Sequence, residues 1–92
     1  MSQFLVVSYD ISNDRQRTKV MNLLRDFGRH VQYSVFECRL EPRQISKLKN
    51  GLLLLINPTD SIRIYYLCKD DVERIEILGR GDRTPEDLFY LH

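Results

Sequence analysis

Glycine is scarce in this chain, with four in 92 residues, each standing alone. Four scattered glycines cannot build a loop that cradles phosphate, which excludes the Gly-rich nucleotide-binding motifs. Cysteine is scarcer still. Cys38 and Cys68 lie far apart, in no Cys-x-x-Cys spacing and no Cys/His cluster. That excludes a disulfide-stapled scaffold and a zinc site, and leaves two thiols of a reducing cytosol as the expectation. Long apolar runs are missing as well: the longest after the start, residues 52–56, is far below transmembrane length. The opening Met1-Ser2-Gln3-Phe4 carries no basic leader. No signal peptide, no membrane partner and a cytoplasmic location are therefore expected. Machinery for nucleophilic catalysis is also lacking. Ser8, Ser34 and Ser61 sit in no Gly-rich elbow, and His30 is the one histidine placed to act as a base.

What is present fits one soluble globular domain, at 42% apolar and 29% charged residues. A domain this short buries a modest share of its surface and gains from a partner subunit. The net charge of +1 hides an asymmetry. Residues 11–50 hold nine Lys/Arg against four Asp/Glu, and the remainder five against nine. One basic face and one acidic face follow, and a basic face attracts phosphates. Solvated helix surfaces would give the same count.

The chain opens on Phe4-Leu5-Val6-Val7-Ser8-Tyr9, a short β-branched run that reads as a central strand ended by Asp10. Ser12 and Asn13 offer helix N-caps, with Gln16 as the capping-box partner of Asn13. Val20, Leu23, Leu24 and Phe27 then recur at helical spacing, and Gly28 stops the helix. Residues 30–40 are β-rich but change phase, so a bulge or break lies near Ser34 to Phe36, in one bent strand or two short ones. Pro42 opens a second helix with Ile45, Leu48, Leu52 and Leu55 on one stripe, weakened at Gly51 and ended by Asn57-Pro58. Residues 61–68 alternate as a strand. Asp70-Asp71 reads as a turn and residues 72–78 as a final strand.

This order predicts an α+β, ferredoxin-like two-layer sandwich, an antiparallel sheet with two helices on one face. The domain spans residues 1–78. The surplus C-terminal strand is expected to pair with a second copy of the chain in a homodimer. The polar tail, 79–92, with a capped turn at Thr84-Pro85-Glu86-Asp87, is expected at the same contact.

One position stands out for chemistry. Asp10 ends a buried strand beside a helix N-terminus, a recurrent place for ligands. A lone carboxylate there also serves as a cap or turn residue. One Asp holds Mg²⁺ poorly, but the ion accepts one or two carboxylates plus waters and phosphate oxygens, and two-fold symmetry would supply a second Asp10. Arg17, in line with the apolar stripe, is placed to reach Asp10 or a bound phosphate. Arg15 and Lys19 line a neighbouring exposed face. Tyr9, Tyr33 and Phe36 are core or interface aromatics, or platforms for stacking bases.

Phe4 to Asp14, a strand ending in Tyr9-Asp10-Ile11, resembles the opening of the CRISPR-associated protein 2 family, with Arg17 and Val20 at the family's spacing. Val31-Gln32-Tyr33-Ser34-Val35-Phe36-Glu37-Cys38 resembles its second signature. The resemblance runs from residue 3 to about 78. It implies a ferredoxin-like homodimer of the CRISPR adaptation machinery, bound to duplex DNA alongside an integrase subunit. It also implies a metal-dependent nuclease, with Mg²⁺ or Mn²⁺, acting on single-stranded RNA or double-stranded DNA. The family's metal-binding Asp corresponds to Asp10, its helix arginine to Arg17, and the aromatic of the second signature to Phe36. Lys19 and His30 stand where some relatives have Arg. Both suit phosphate binding but lack the planar guanidinium fork. Tyr9, Arg15, Arg17, Lys19, His30 and Phe36 are thus the expected nucleic-acid contacts, and Asp10 with Arg17 the expected catalytic pair. A non-catalytic scaffold holding duplex DNA between integrase subunits is the other reading of the same residues.

Overall fold

A computed structural model describes residues 1–85; residues 86–92 lie outside the described part. Seven elements follow in chain order: β1 (Gln3–Asp10), α1 (Asp14–Arg25), β2 (Arg29–Gln32), β3 (Val35–Leu40), α2 (Pro42–Leu55), β4 (Ser61–Leu67) and α3 (Lys69–Glu73). The strands form one sheet in the order β2-β3-β1-β4, and every neighbouring pair is antiparallel. With α1 and α2 packed on one face, this is the expected ferredoxin-like sandwich. Leu5, Val7 and Tyr9 of β1 and Phe36, Cys38 and Leu40 of β3 face Val20 and Leu24 of α1 and Leu48 and Leu52 of α2. The other residues of each strand form the second face.

The phase change in residues 30–40 resolves into a hairpin. β2 and β3 meet through Tyr33-Ser34, with a register shift between His30 and Gln32. Tyr33 takes a left-handed backbone, φ 39°, a conformation few non-glycine residues adopt outside turns. Asn13 caps α1 as expected, its Oδ1 accepting from the Gln16 amide at 2.9 Å. The reciprocal half of the capping box does not form. Gln16 Nε2 donates instead to the Leu55 carbonyl and ties the start of α1 to the end of α2.

The C-terminal region departs from expectation. Residues 72–78 form no strand within the described chain. The Cys68 amide donates to Asp71 Oδ2 at 3.2 Å and the Val72 amide to the Cys68 carbonyl at 3.0 Å. These bonds wind Lys69–Glu73 into α3, where period-2 reading saw a turn and then a strand. The chain then crosses the second sheet face. Arg83 donates to the carbonyls of Val72 at 2.8 Å and Ile75 at 2.6 Å, and Thr84 donates to the Glu37 carboxylate. Arg39 donates to the Pro85 carbonyl at 3.1 Å and lies 4.9 Å over the Phe4 ring. Phe4, which points away from both helices, is therefore buried. Glu86 and Asp87 of the expected capped turn lie outside the described residues.

The two thiols now separate. Burial pushes Cys38 up to about 12, with the Glu37 carboxylate adding to it, whereas Cys68 is exposed. A thiol reagent at pH 8 is expected to modify Cys68 readily and Cys38 only on unfolding. Equal labelling rates would contradict this packing. Because the folded pKa of Cys38 is the raised one, its contribution to stability is complete below the unfolded value, about 8.5. It is lost as pH rises from there towards 12.

Candidate functional site

β1 runs buried or half-buried until Asp10, the first exposed residue along the strand. Alternation places Phe4, Val6, Ser8 and Asp10 on the sheet face that α1 and α2 leave uncovered. The register sets Asp10 opposite Ser61 and Ser8 opposite Arg63. The strap through Arg83 to Pro85 covers this face only at its Phe4 end. Asp10 makes no ion pair among the described residues. An exposed, unpaired carboxylate with two hydroxyls on its face is a donor set of hard oxygens, the kind Mg²⁺ and Mn²⁺ prefer. No group of three potential ligands occurs among the described residues. The described residues thus supply one carboxylate here, and a metal ion at it would need substrate oxygens, water or a second copy to complete its shell.

Arg17 does not reach Asp10. Its guanidinium donates to the Ile11 carbonyl at 2.9 Å and pairs with Asp14. It therefore closes the β1–α1 turn directly behind Asp10. Tyr9 and Phe36 correct the expectation of stacking platforms. Both are buried, with centroids 6.4 Å apart, so neither offers a ring face to a base in this chain. Burial pushes the Tyr9 phenol up, partly offset by Arg17 and Arg25. His30 is exposed and lies flat on Phe36 at 4.7 Å, with Nε2 donating to the Tyr33 carbonyl. The same turn reaches β1, where the Tyr9 amide donates to the Ser34 carbonyl at 3.1 Å. The second sequence signature is thus a hairpin buttressing the Asp10 end of β1.

Arg15 and Lys19 lie elsewhere. They are exposed on the outer surface of α1, with Arg43, Lys47 and Lys49 exposed on α2 in the same layer. None of these five has an ion pair among the described residues. The helical layer is therefore a cationic surface, and the sheet stands between it and the face that carries Asp10. Two separate surfaces result.

Sequence reasoning missed Arg63 and the Arg83–Thr84 strap. Arg63 sat in an alternating strand with nothing to mark it, and only the β1–β4 register brings it beside Asp10. Thr84 lay in a polar stretch whose burial depends on a partner 47 positions away.

The comparisons agree with this geometry. Residues 2–75 match the family model for CRISPR-associated protein Cas2. The chain is 44% identical over 92 residues to the CRISPR-associated endoribonuclease Cas2 3 of Chloroflexus aurantiacus, covering 99% of each. Its fold is similar to a hypothetical protein, TT1823, of Thermus thermophilus (TM-score 0.80, 36% identity, 89% of this chain and 96% of that one). It is likewise similar to Streptococcus pyogenes Cas2 (TM-score 0.74, 36% identity, 83% and 99%). No helix among the described residues is long and apolar enough to cross a membrane. Signature strand, buttressing hairpin and sheet order all coincide with that match, and the chain belongs to the CRISPR-associated Cas2 family.

Proposed function

We propose that two copies of this chain form a metal-dependent endonuclease of CRISPR adaptation that cleaves phosphodiester bonds in single-stranded RNA, double-stranded DNA or both. The observation that carries the reading is Asp10, an exposed carboxylate with no ion pair among the described residues, at the end of a central strand. Asp10 holds Mg²⁺ or Mn²⁺, with its counterpart from the second copy. The bound ion supplies a polarised phosphoryl oxygen and a more acidic water. Arg17 and the 33–34 hairpin hold the strand end in place, and Arg17 adds positive potential behind the site. Dimer formation has support in the β4 edge, which has no partner strand among the described residues, and in Ile77 and Leu78, left 39% and 91% exposed after α3. A chain with both a free edge and an unpaired apolar segment can satisfy both in an isologous pair.

The test is a cleavage panel on single-stranded RNA and duplex DNA, with Mg²⁺, Mn²⁺ or chelator, comparing wild type with Asp10→Ala. Cleavage is expected only with metal, and the substitution to reduce it by roughly two to three orders of magnitude. Cleavage equal in both proteins would remove Asp10 from the chemistry.

A second reading rests on a different observation, the exposed cations of the helical layer, among them Arg15, Lys19, Arg43, Lys47 and Lys49, which have no ion pair among the described residues. There the pair is a scaffold that holds duplex DNA for an integrase subunit, and Asp10 has no catalytic part.

A further inference from the structure

The uncovered sheet face carries a polar lane beside Asp10 that the reading above does not use. It holds Ser8 and Asp10 on β1 and Ser61 and Arg63 on β4, with Asp10 opposite Ser61 and Ser8 opposite Arg63. Diagonal neighbours on one face of an antiparallel pair lie about 7–8 Å apart, within reach of an arginine. Arg63 is therefore one rung from Asp10, on the same face. It is exposed and makes no ion pair among the described residues. Its Nη1 donates a long hydrogen bond to the Tyr65 hydroxyl at 3.4 Å, a weak contact at that length. Arg17, by contrast, spends its guanidinium on Ile11 and Asp14.

A guanidinium and a carboxylate so placed usually neutralise each other. Here neither has an ion pair among the described residues, and Ser8 and Ser61 flank the diagonal that joins them. That arrangement suits a phosphodiester, which needs a planar cationic fork for its anionic oxygens and a carboxylate that reaches it through a metal ion. We infer that Arg63 is a phosphate-binding residue of the Asp10 site, holding the nucleic-acid backbone one strand rung from the metal-binding carboxylate. This rests on Asp10 marking the site. In the paired molecule each copy contributes one such arginine, so the two Asp10 carboxylates are flanked by two cations.

Binding and cleavage together test it. Affinity for a single-stranded RNA oligonucleotide is measured by titration in chelator across a salt series, for wild type, Arg63→Ala and Arg63→Lys, with the oligomeric state checked by sedimentation. Arg63→Ala is expected to stay paired and bind about tenfold more weakly, with a salt slope flatter by roughly 0.7 for each phosphate it no longer neutralises. Arg63→Lys is expected to restore the slope. With Mg²⁺, Arg63→Ala is expected to raise KM and lower kcat, while Lys recovers KM more than kcat because it lacks the fork. An unchanged slope would overturn the assignment. So would a loss of affinity that vanishes at protein concentrations where the variant is fully paired, since Arg63 would then act only between subunits. If wild type binds RNA without cleaving it, the nuclease reading fails. The slope then still decides whether Arg63 meets a phosphate.

Discussion

Gly28→Ala is expected to destabilise the protein by about 3 kcal/mol or more, at the severe end of overpacking. An added Cβ would lie 2.4 Å from Cys38 Sγ and 2.5 Å from the Glu37 carbonyl oxygen. The first is a fully buried side chain and the second is backbone of a central strand, so neither can give way cheaply. For a domain of this size the loss corresponds to a fall in Tm of roughly 12–24 °C, at fixed protein concentration because pairing contributes to apparent stability. Gly51→Ala is the control. Its Cβ would meet Leu23 Cδ2 at 2.8 Å, the far end of a half-buried side chain that can turn. Alanine also gains about 1 kcal/mol of helix propensity over glycine. Gly51→Ala is expected within a few degrees of wild type. Equal melting of the two variants would mean that the α1–β2 turn at Gly28 does not approach β3 as closely as described.

The second large effect concerns duplex DNA. Replacing Arg15, Lys19, Arg43, Lys47 and Lys49 together with alanine is expected to weaken duplex binding by roughly two to three orders of magnitude near 0.1 M salt. The salt dependence should flatten by about 0.9 for each phosphate left without its cation. Asp10→Ala is expected to leave both unchanged, because the sheet separates Asp10 from these cations. Arg17 is left out of the set because its guanidinium is held by Ile11 and Asp14. Fluorescence anisotropy on one duplex across a salt series reads all of this. An unchanged slope in the fivefold variant would place the duplex on another surface. Full cleavage by that variant on single-stranded RNA would show that the two surfaces act independently.

Much of this was legible beforehand because it depends on local chemistry. The β-branched run to Tyr9, the Asn13 cap, the apolar stripes at 20–27 and 45–55 and Pro42 each act over a few residues, so spacing alone identified β1, both helices and their starts. The phase change in residues 30–40 even located the hairpin break to within a residue or two. Asp10 could be singled out because it ends a buried strand beside a helix N-terminus, a recurrent place for ligands.

What spacing could not supply was the partner of each group across the sheet or along the chain. Gly28 reads as a helix stop, but it is small because β3 passes directly against its Cα. Phe36 and Tyr9 read either as core aromatics or as platforms for a base, and only the helix layer, which buries both rings, decides for the core. Arg17 stands out in sequence by its place on the α1 stripe, whereas nothing there marks Arg63. Only the closed β1–α1 turn occupies the first, and only the β1–β4 register brings the second beside Asp10. Residues 72–85 read as a strand and a polar tail because alternation is a local signal. Their fold over Phe4 depends on Glu37 and Arg39, more than 30 positions away. The sequence by itself thus determined the elements up to β4, the sheet-end carboxylate and the family. The tertiary structure alone decided which charges share a face, because a strand's neighbours are set by hydrogen-bond register between segments that sequence distance keeps apart.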